Sequence, residues 1–234
     1  MAQQMPGFSG RNALAAAGLV TTCLILAGTP ATASTVLPKF SDAVFQPGAA
    51  IDNPYFPLAK GYRVTMRANG VDDENNPFTE ESQLAYGGLG PVILGVQTTV
   101  QRDFAFEDDR LVEDTYDYYA QDSVGNVWYL GEDVTNYVYD DDGKLIETNN
   151  SSAWIAGKNG ALPGYIMPAN PVVGLAYYQE FAANDGALDE ALILATDLSF
   201  EIGGTIFEDV LAIYETTALH PDAREAKYFA PNIG

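Results

Sequence analysis

The sequence is poor in the side chains on which most catalytic and metal sites depend. It contains one cysteine, Cys23, and one histidine, His220. Because Cys23 lies in an N-terminal apolar run, the chain beyond that run can form no disulfide, no thiolate metal site and no cysteine nucleophile. A single histidine also excludes sites with two or more histidine ligands, which include ordinary catalytic zinc. His220 is interpreted as a surface residue rather than the base of a serine-type hydrolase.

Basic residues are scarce as well. The chain has 11 Lys and Arg against 32 Asp and Glu, and its formal net charge is −21 at pH 7. Such a surface repels nucleic acid and anionic membranes and attracts cations or basic partners. The same acidity would equally serve to keep an exported protein soluble in salty surroundings.

Long apolar stretches are missing except near the N-terminus. Arg11 precedes an apolar run over residues 13–27, and the small residues Ala31 and Ala33 occupy the positions that a signal peptidase reads. The run is too short for a membrane span, so residues 1–33 are predicted to be a signal peptide. Residues 34–234 then form one domain of an exported protein, either periplasmic or extracellular.

The strongest structural pattern is a predicted hairpin over residues 111–133, LVEDTYDYYAQDSVGNVWYLGED. Two segments rich in Tyr, Val and Trp flank an Asp/Gly/Asn turn at 122–126, as strands and a tight turn require. If Gln121 faces Val127, one side of the hairpin is a core face and the other is not. The pairs expected on the core face are Tyr118 with Leu130 and Ala120 with Trp128. The other face is expected to carry Tyr119 against Tyr129 and to bring Asp117 and Asp133 to the same side.

Short alternating segments continue along the chain and predict an all-β fold. Strands are expected at 61–68, 80–86, 92–106, 134–139, 144–148, 176–181, 188–200, 205–217 and 225–229, with a turn at 87–91. Residues 149–170 are expected to be a long functional loop or a crossing connection. We therefore predict an antiparallel meander curled into a barrel-like or two-layer sheet, in which residues 188–196 form either a strand or one short helix.

Cation binding is the chemistry most compatible with this composition, because Ca²⁺ prefers several carboxylate and carbonyl oxygens. Asp140 and Asp142 belong to an Asp-Asp-Asp-Gly turn, and Asp117 and Asp133 flank the central hairpin. These four acids are the candidate metal ligands, although neither segment matches an EF-hand loop. Plain turns and a solvated strand face would explain the same residues without any metal, and no cofactor is required.

Two further site types remain open. Tyr118, Trp128 and Trp154 are candidate ligand-binding residues lining an aromatic cavity, and the alternative is that they belong to the core. Asp117 with Glu132 or Asp133 is a candidate acid and base pair for hydrolysis of a polysaccharide, since such enzymes need two carboxyl groups at a suitable separation.

Several segments together resemble a family of exported bacterial proteins of unknown function. They are residues 52–58 before Gly61, the central VEDTYDYYAQDSVGNVWYLGED, the later PGYIMPA and the closing KYFAP. The resemblance implies export and an all-β fold and brings no activity, ligand or catalytic residue. Family members have G-x-x-W-x-Y where this chain has GYRVTM, and they continue with another apolar strand where this chain ends at Gly234. An unpaired C-terminal edge that takes a strand-pairing partner is therefore expected.

The sequence thus leaves three functions open. The first is a secreted, non-catalytic binding domain with an unidentified ligand, for which a divalent cation such as Ca²⁺ is the simplest candidate. The second is a secreted hydrolase of polysaccharide that depends on carboxyl groups. The third is a structural protein of the cell surface.

Overall fold

A computed structural model describes residues 34–71, 75–221 and 223–234 of the chain. The predicted signal peptide and Cys23 lie outside these residues. Across the described part, no helix has the length and apolar character needed to cross a membrane. Regular structure consists of fifteen strands and two short 3-10 turns, Phe40–Asp42 and Ala183–Asp185. The strands are β1 (Ile51–Asn53), β2 (Phe56–Leu58), β3 (Arg63–Val71), β4 (Pro77–Ile93), β5 (Val96–Glu107), β6 (Arg110–Gln121), β7 (Val127–Tyr139), β8 (Leu145–Asn149), β9 (Trp154–Ile155), β10 (Leu162–Met167), β11 (Ala176–Tyr178), β12 (Glu180–Phe181), β13 (Asp189–Ile202), β14 (Thr205–Thr217) and β15 (Arg224–Phe229).

The first sheet confirms the predicted antiparallel meander. Strands β3 to β7 pair in sequence order, β10 and β12 extend the sheet beyond β7, and β8 and β9 also pair with β7. The seven strands along this path curl into a half-barrel. The predicted long loop at 149–170 therefore contains two strands, β9 and β10, that add to the sheet.

The second sheet has four strands in the order β11, β13, β14 and β15, and all its pairs are antiparallel. Residues 188–196 fall largely in β13, so the alternative of a short helix there is wrong. Ala191 and Ile193 are buried while Leu194 is exposed, which is the alternation of a strand with one covered face. Both sheets contribute to one core, in which Tyr129 and Trp154 of the first meet Ile193 and Leu211 of the second.

The central hairpin forms between β6 and β7 with the predicted register. Gln121 pairs with Val127, Ala120 with Trp128 and Tyr119 with Tyr129. Both faces of its tip are buried, however, which corrects the expectation of a single core face. Phe40 packs edge-on against Trp128 and Phe56 packs edge-on against Tyr119, so residues preceding the meander cover the hairpin on both sides.

A register shift on β7 overturns the prediction that Asp117 and Asp133 lie on the same side of the hairpin. Asp117 lies opposite Glu132, and Asp133 lies opposite Tyr116. The shift occurs at Gly131, whose φ is +143°. Backbone atoms of Trp154 and Ile155 in β9 approach the Gly131 Cα so closely that no side chain fits there. The bulge therefore depends on glycine at this position.

Replacing Gly131 by alanine is expected to lower the free energy of unfolding by about 3 kcal/mol. The new Cβ would lie 2.9 Å from the Ile155 Cα, and alanine would also have to adopt a positive φ. Gly174→Ala is the matched control, because Gly174 has a φ of +87° and nothing within 4 Å of a Cβ. Its cost is about 1 kcal/mol, and equal losses for the two variants in chemical denaturation would contradict the proposed clash.

Candidate binding site: a buried carboxyl cluster

Three acidic side chains lie together inside the fold, and we call them the carboxyl cluster: Asp117, Glu132 and Glu180. Asp117 and Glu132 face each other across β6 and β7, and Glu180 belongs to β12 at the far end of the same sheet. Asp117 is 7% exposed and Glu180 is 8% exposed. Among the ion pairs of the described residues, none reaches a cluster member. Burying acids without a basic partner in contact is costly, so the arrangement requires an explanation.

The hydroxyl of Tyr129 bridges two of the three carboxyl groups. Its oxygen lies 2.5 Å from Asp117 Oδ1 and 2.9 Å from Glu132 Oε2. A tyrosine hydroxyl has one hydrogen and donates to only one of these oxygens, so the other carboxyl group must itself donate to Tyr129. One of the two carboxyl groups is therefore protonated while both hydrogen bonds to Tyr129 are made.

The acidities of the three groups agree with that assignment. Burial raises the pKa of Asp117 to about 7, although the hydrogen bond from Tyr129 acts in the opposite direction. Burial raises the pKa of Glu180 to about 8, and the charge of Asp189 adds to the rise. Burial and the neighbouring Glu180 raise the pKa of Glu132 well above its ordinary value. At neutral pH the carboxyl cluster therefore holds protons that exposed acids would have lost.

Trp154 places a hydrogen-bond donor beside the cluster. Its side chain is 2% exposed, and its indole N–H approaches Glu180 closely enough to lower that residue's pKa, although it falls short of a well-formed hydrogen bond. The Trp154 ring packs against Tyr129, with ring centroids 5.4 Å apart. The indole N–H thus offsets part of the effect of burial on Glu180.

The second sheet places a lysine against the same interior. Lys227 Nζ lies 2.7 Å from Glu215 Oε2 and 3.5 Å from Glu225 Oε2. Its charge also lowers the pKa of Asp117 and Glu180, which locates it on the side of the cluster. The Lys227 side chain remains 44% exposed, so water reaches it. Acidic side chains outnumber the single lysine there, and the interior favours a positively charged guest.

The four predicted metal ligands do not converge. Asp117 is buried, whereas Asp133 is exposed on the opposite face of the sheet. Asp140 accepts a hydrogen bond from the Lys144 amide at 2.8 Å within its turn, and Asp142 lies in the same turn. Within the part that the structure describes, no group of three or more acidic, histidine or cysteine side chains is arranged to hold a metal ion.

The predicted aromatic ligand residues belong to the core or pack against it. Trp128 is 1% exposed and donates from Nε1 to Asp122 Oδ2 at 2.9 Å. Trp154 packs on Tyr129, and Tyr118 is half-buried on the outer face. None of the three lines the cavity of about 150 Å³ between residues 45–49 and 92–97. Ligand binding by these three side chains stays a prediction.

Sequence reasoning missed Glu180 and the role of Tyr129. Glu180 lies in a stretch of aromatic residues, Tyr-Tyr-Gln-Glu-Phe, where an acid on a short strand points towards the core. This aromatic context was the signal in the sequence that Glu180 is buried. Glu180 reaches the hairpin through β10, which pairs with both β12 and β7, and these pairings have no local signature in the sequence.

Comparison of the chain with protein-family models, curated proteins and solved structures gives no match. The resemblance drawn from sequence motifs consequently stays a prediction, and function must be argued from the site itself.

Stability is expected to fall as the pH rises from 6 to 9. The folded-state pKa values of Asp117 and Glu180, about 7 and about 8, lie above the ordinary value near 4, so the folded state holds protons that the unfolded state has lost. Their contribution is complete below about pH 4 and disappears as the pH passes the folded-state values. The expected loss between pH 6 and 9, where exposed carboxyls no longer titrate, is roughly 2–4 kcal/mol.

Glu180→Gln should flatten this pH profile, because an amide cannot lose a proton. Glu201→Gln, on an exposed strand end, is the matched control and should leave the profile unchanged. Urea unfolding at each pH measures the effect. If the free energy of unfolding of the parent protein does not change between pH 6 and 9, Asp117 and Glu180 are ionised in the folded state and the prediction is wrong.

Proposed function

We propose that the chain is a non-catalytic binding domain whose ligand is a cation taken up at the carboxyl cluster. The observation that carries the proposal is the burial of Asp117 and Glu180 beside the half-buried Glu132 without a basic side chain in contact. In place of a counter-ion, the cluster holds a proton at the Tyr129 bridge. Strongly perturbed acids are typical of functional sites.

The chemistry of the cluster limits the kind of cation. Ca²⁺ takes six to eight oxygen ligands, and the carboxyl oxygens of the cluster would have to move to supply them. An organic ammonium ion needs only two or three acceptors and can bind by displacing the shared proton. Ca²⁺ and a diamine are therefore the two probes, and both should release protons on binding.

The first experiment is thermal unfolding of residues 34–234 in chelator, in millimolar Ca²⁺ and in millimolar putrescine, at ionic strength matched with NaCl. A ligand at a concentration of about 100 times its Kd raises the free energy of unfolding by roughly 2.7 kcal/mol. For a chain of this size the unfolding temperature then rises by several degrees. We expect a rise with at least one probe that NaCl does not reproduce. Calorimetry in two buffers should detect the released proton.

Two variants locate the site. Glu180→Gln should abolish the rise, and Asp140→Asn should keep it, because an asparagine oxygen can still accept the Lys144 amide hydrogen. The reverse pattern would assign cation binding to the Asp140 turn and contradict the proposed site. No rise with either probe would contradict cation binding altogether.

Hydrolysis of polysaccharide is the second candidate, favoured by the Tyr129 bridge. One ionised and one protonated carboxyl group at this bridge, Asp117 and Glu132, would give the base and acid that glycoside hydrolysis needs. Asp117 is only 7% exposed, however, and a polymer has no open path to it. Release of reducing ends from neutral polysaccharides, lost in Asp117→Asn and kept in Glu201→Gln, is the result this candidate requires. No release from any of them would eliminate it.

We also propose export, with residues 1–33 removed, and strand pairing by a partner at the edge of β15. In the described residues β15 pairs only with β14, which leaves its outer backbone groups available. Native mass spectrometry of the exported protein reports both its first residue, expected to be Ser34, and any second chain bound to it.

A further inference from the structure

The outer face of the first sheet carries a tyrosine held rigidly by its neighbours. The guanidinium carbon of Arg102 lies 3.8 Å from the centroid of the Tyr116 ring and 4.5 Å from that of Phe104. Asp114 Oδ1 accepts a hydrogen bond from Arg102 Nη2 at 2.7 Å, so the guanidinium is itself fixed. Tyr116 nevertheless remains 38% exposed. One face of its ring is covered by Arg102, and the ring is preorganised for a ligand on the other.

Hydrogen-bonding groups lie beside the free side of this ring. Asp133 is directly opposite Tyr116 across β6 and β7 and is exposed. Tyr118 lies two residues along β6 on the same face, and its pKa is raised by burial and by the charges of Asp133 and Tyr116. Tyr116, Tyr118 and Asp133 thus form one amphipathic surface, which we call the outer platform.

A shallow pocket of about 290 Å³ lies near the outer platform. Its lining consists of two hydroxyl and two amide side chains: Thr135, Thr148, Asn149 and Asn150. Thr135 lies two residues from Asp133 on the same face of β7, about 7 Å along the strand. The pocket offers donors and acceptors without a formal charge, at the small end of the size range of ligand pockets.

We infer that the outer platform and this pocket bind a neutral oligosaccharide. One sugar ring stacks through its apolar face on Tyr116 and hydrogen-bonds to Asp133, and the next sugar lies against the hydroxyl and amide groups of the pocket. The net charge of −21 disfavours acidic glycans. A peptide would need apolar side-chain pockets that the two threonines and two asparagines do not provide. The site is independent of the carboxyl cluster, which occupies the other face of β6 and β7.

The test is affinity electrophoresis of residues 34–234 through gels that contain glucan, xylan, mannan or galactan, with alginate as the acidic comparison. We expect retardation by at least one neutral polysaccharide and none by alginate. Tyr116→Ala should weaken the affinity at least about tenfold, whereas Tyr116→Phe, which keeps the ring and its contact with Arg102, should stay within about threefold. Tyr228→Ala removes a more exposed tyrosine, 50% against 38% for Tyr116, from the second sheet and should change nothing.

Asn150→Ala provides a second variant at an exposed position, in case Tyr116→Ala does not fold. It should weaken binding several-fold without affecting stability. Retardation by no neutral polysaccharide, or retardation unchanged in both Tyr116→Ala and Asn150→Ala, would overturn the inference. Asp117→Asn should retain glycan binding, so failure of the carboxyl cluster as a cation site and failure of this site are distinguishable.

Discussion

The organisation of this protein depends on the hydrogen bonds that Asp122 accepts at the tip of the central hairpin. Asp122 Oδ1 receives the amide hydrogens of Val124, Gly125 and Asn126, and Oδ2 receives the Trp128 indole hydrogen. The Asp122 carboxylate thus closes the turn and also holds it against the buried Trp128 ring. This arrangement pairs Gln121 with Val127, and every cross-strand neighbour between there and Gly131 follows from that register.

Sequence reasoning succeeded where the determining interactions are local. The Asp/Gly/Asn turn and the aromatic strands of the central hairpin can be recognised within a stretch of about twenty residues. Most strands of the meander can be recognised in the same way. It failed at the glycines of β4 and of the turn between β4 and β5. The predicted turn at 87–91 is continuous strand, and the chain reverses instead at Leu94 and Gly95, both with positive φ. A run rich in glycine permits either a bulged strand or a turn, and the packing of the sheet decides between them.

The carboxyl cluster could be predicted only in part, because the packing of the sheet rather than the local sequence determines its environment. Asp117 and Glu132 were recognised as candidate acids because they flank the hairpin. Their environment depends on β9 and β12, which reach β7 through pairings that no short pattern encodes. A prediction from sequence treats an acid on a strand as solvated, since that is its usual state. Only the assembled sheet reveals that water is removed from the carboxyl groups of Asp117 and Glu132 by Tyr129, Trp154 and Glu180.

The bulge at Gly131 links the two faces of the sheet. In strict alternation from Tyr129, residues 131 and 133 would share its face, so Asp133 would point inward and Glu132 outward. The extra residue reverses this order: Glu132 joins Tyr129 and Asp117 inside, and Asp133 moves to the outer platform beside Tyr116. The longer glutamate reaches the Tyr129 hydroxyl from within the low-dielectric interior, where a proton is held. The aspartate outside is exposed to solvent. Gly131, which the close approach of β9 requires, therefore determines that Glu132 faces the interior and Asp133 the outer platform.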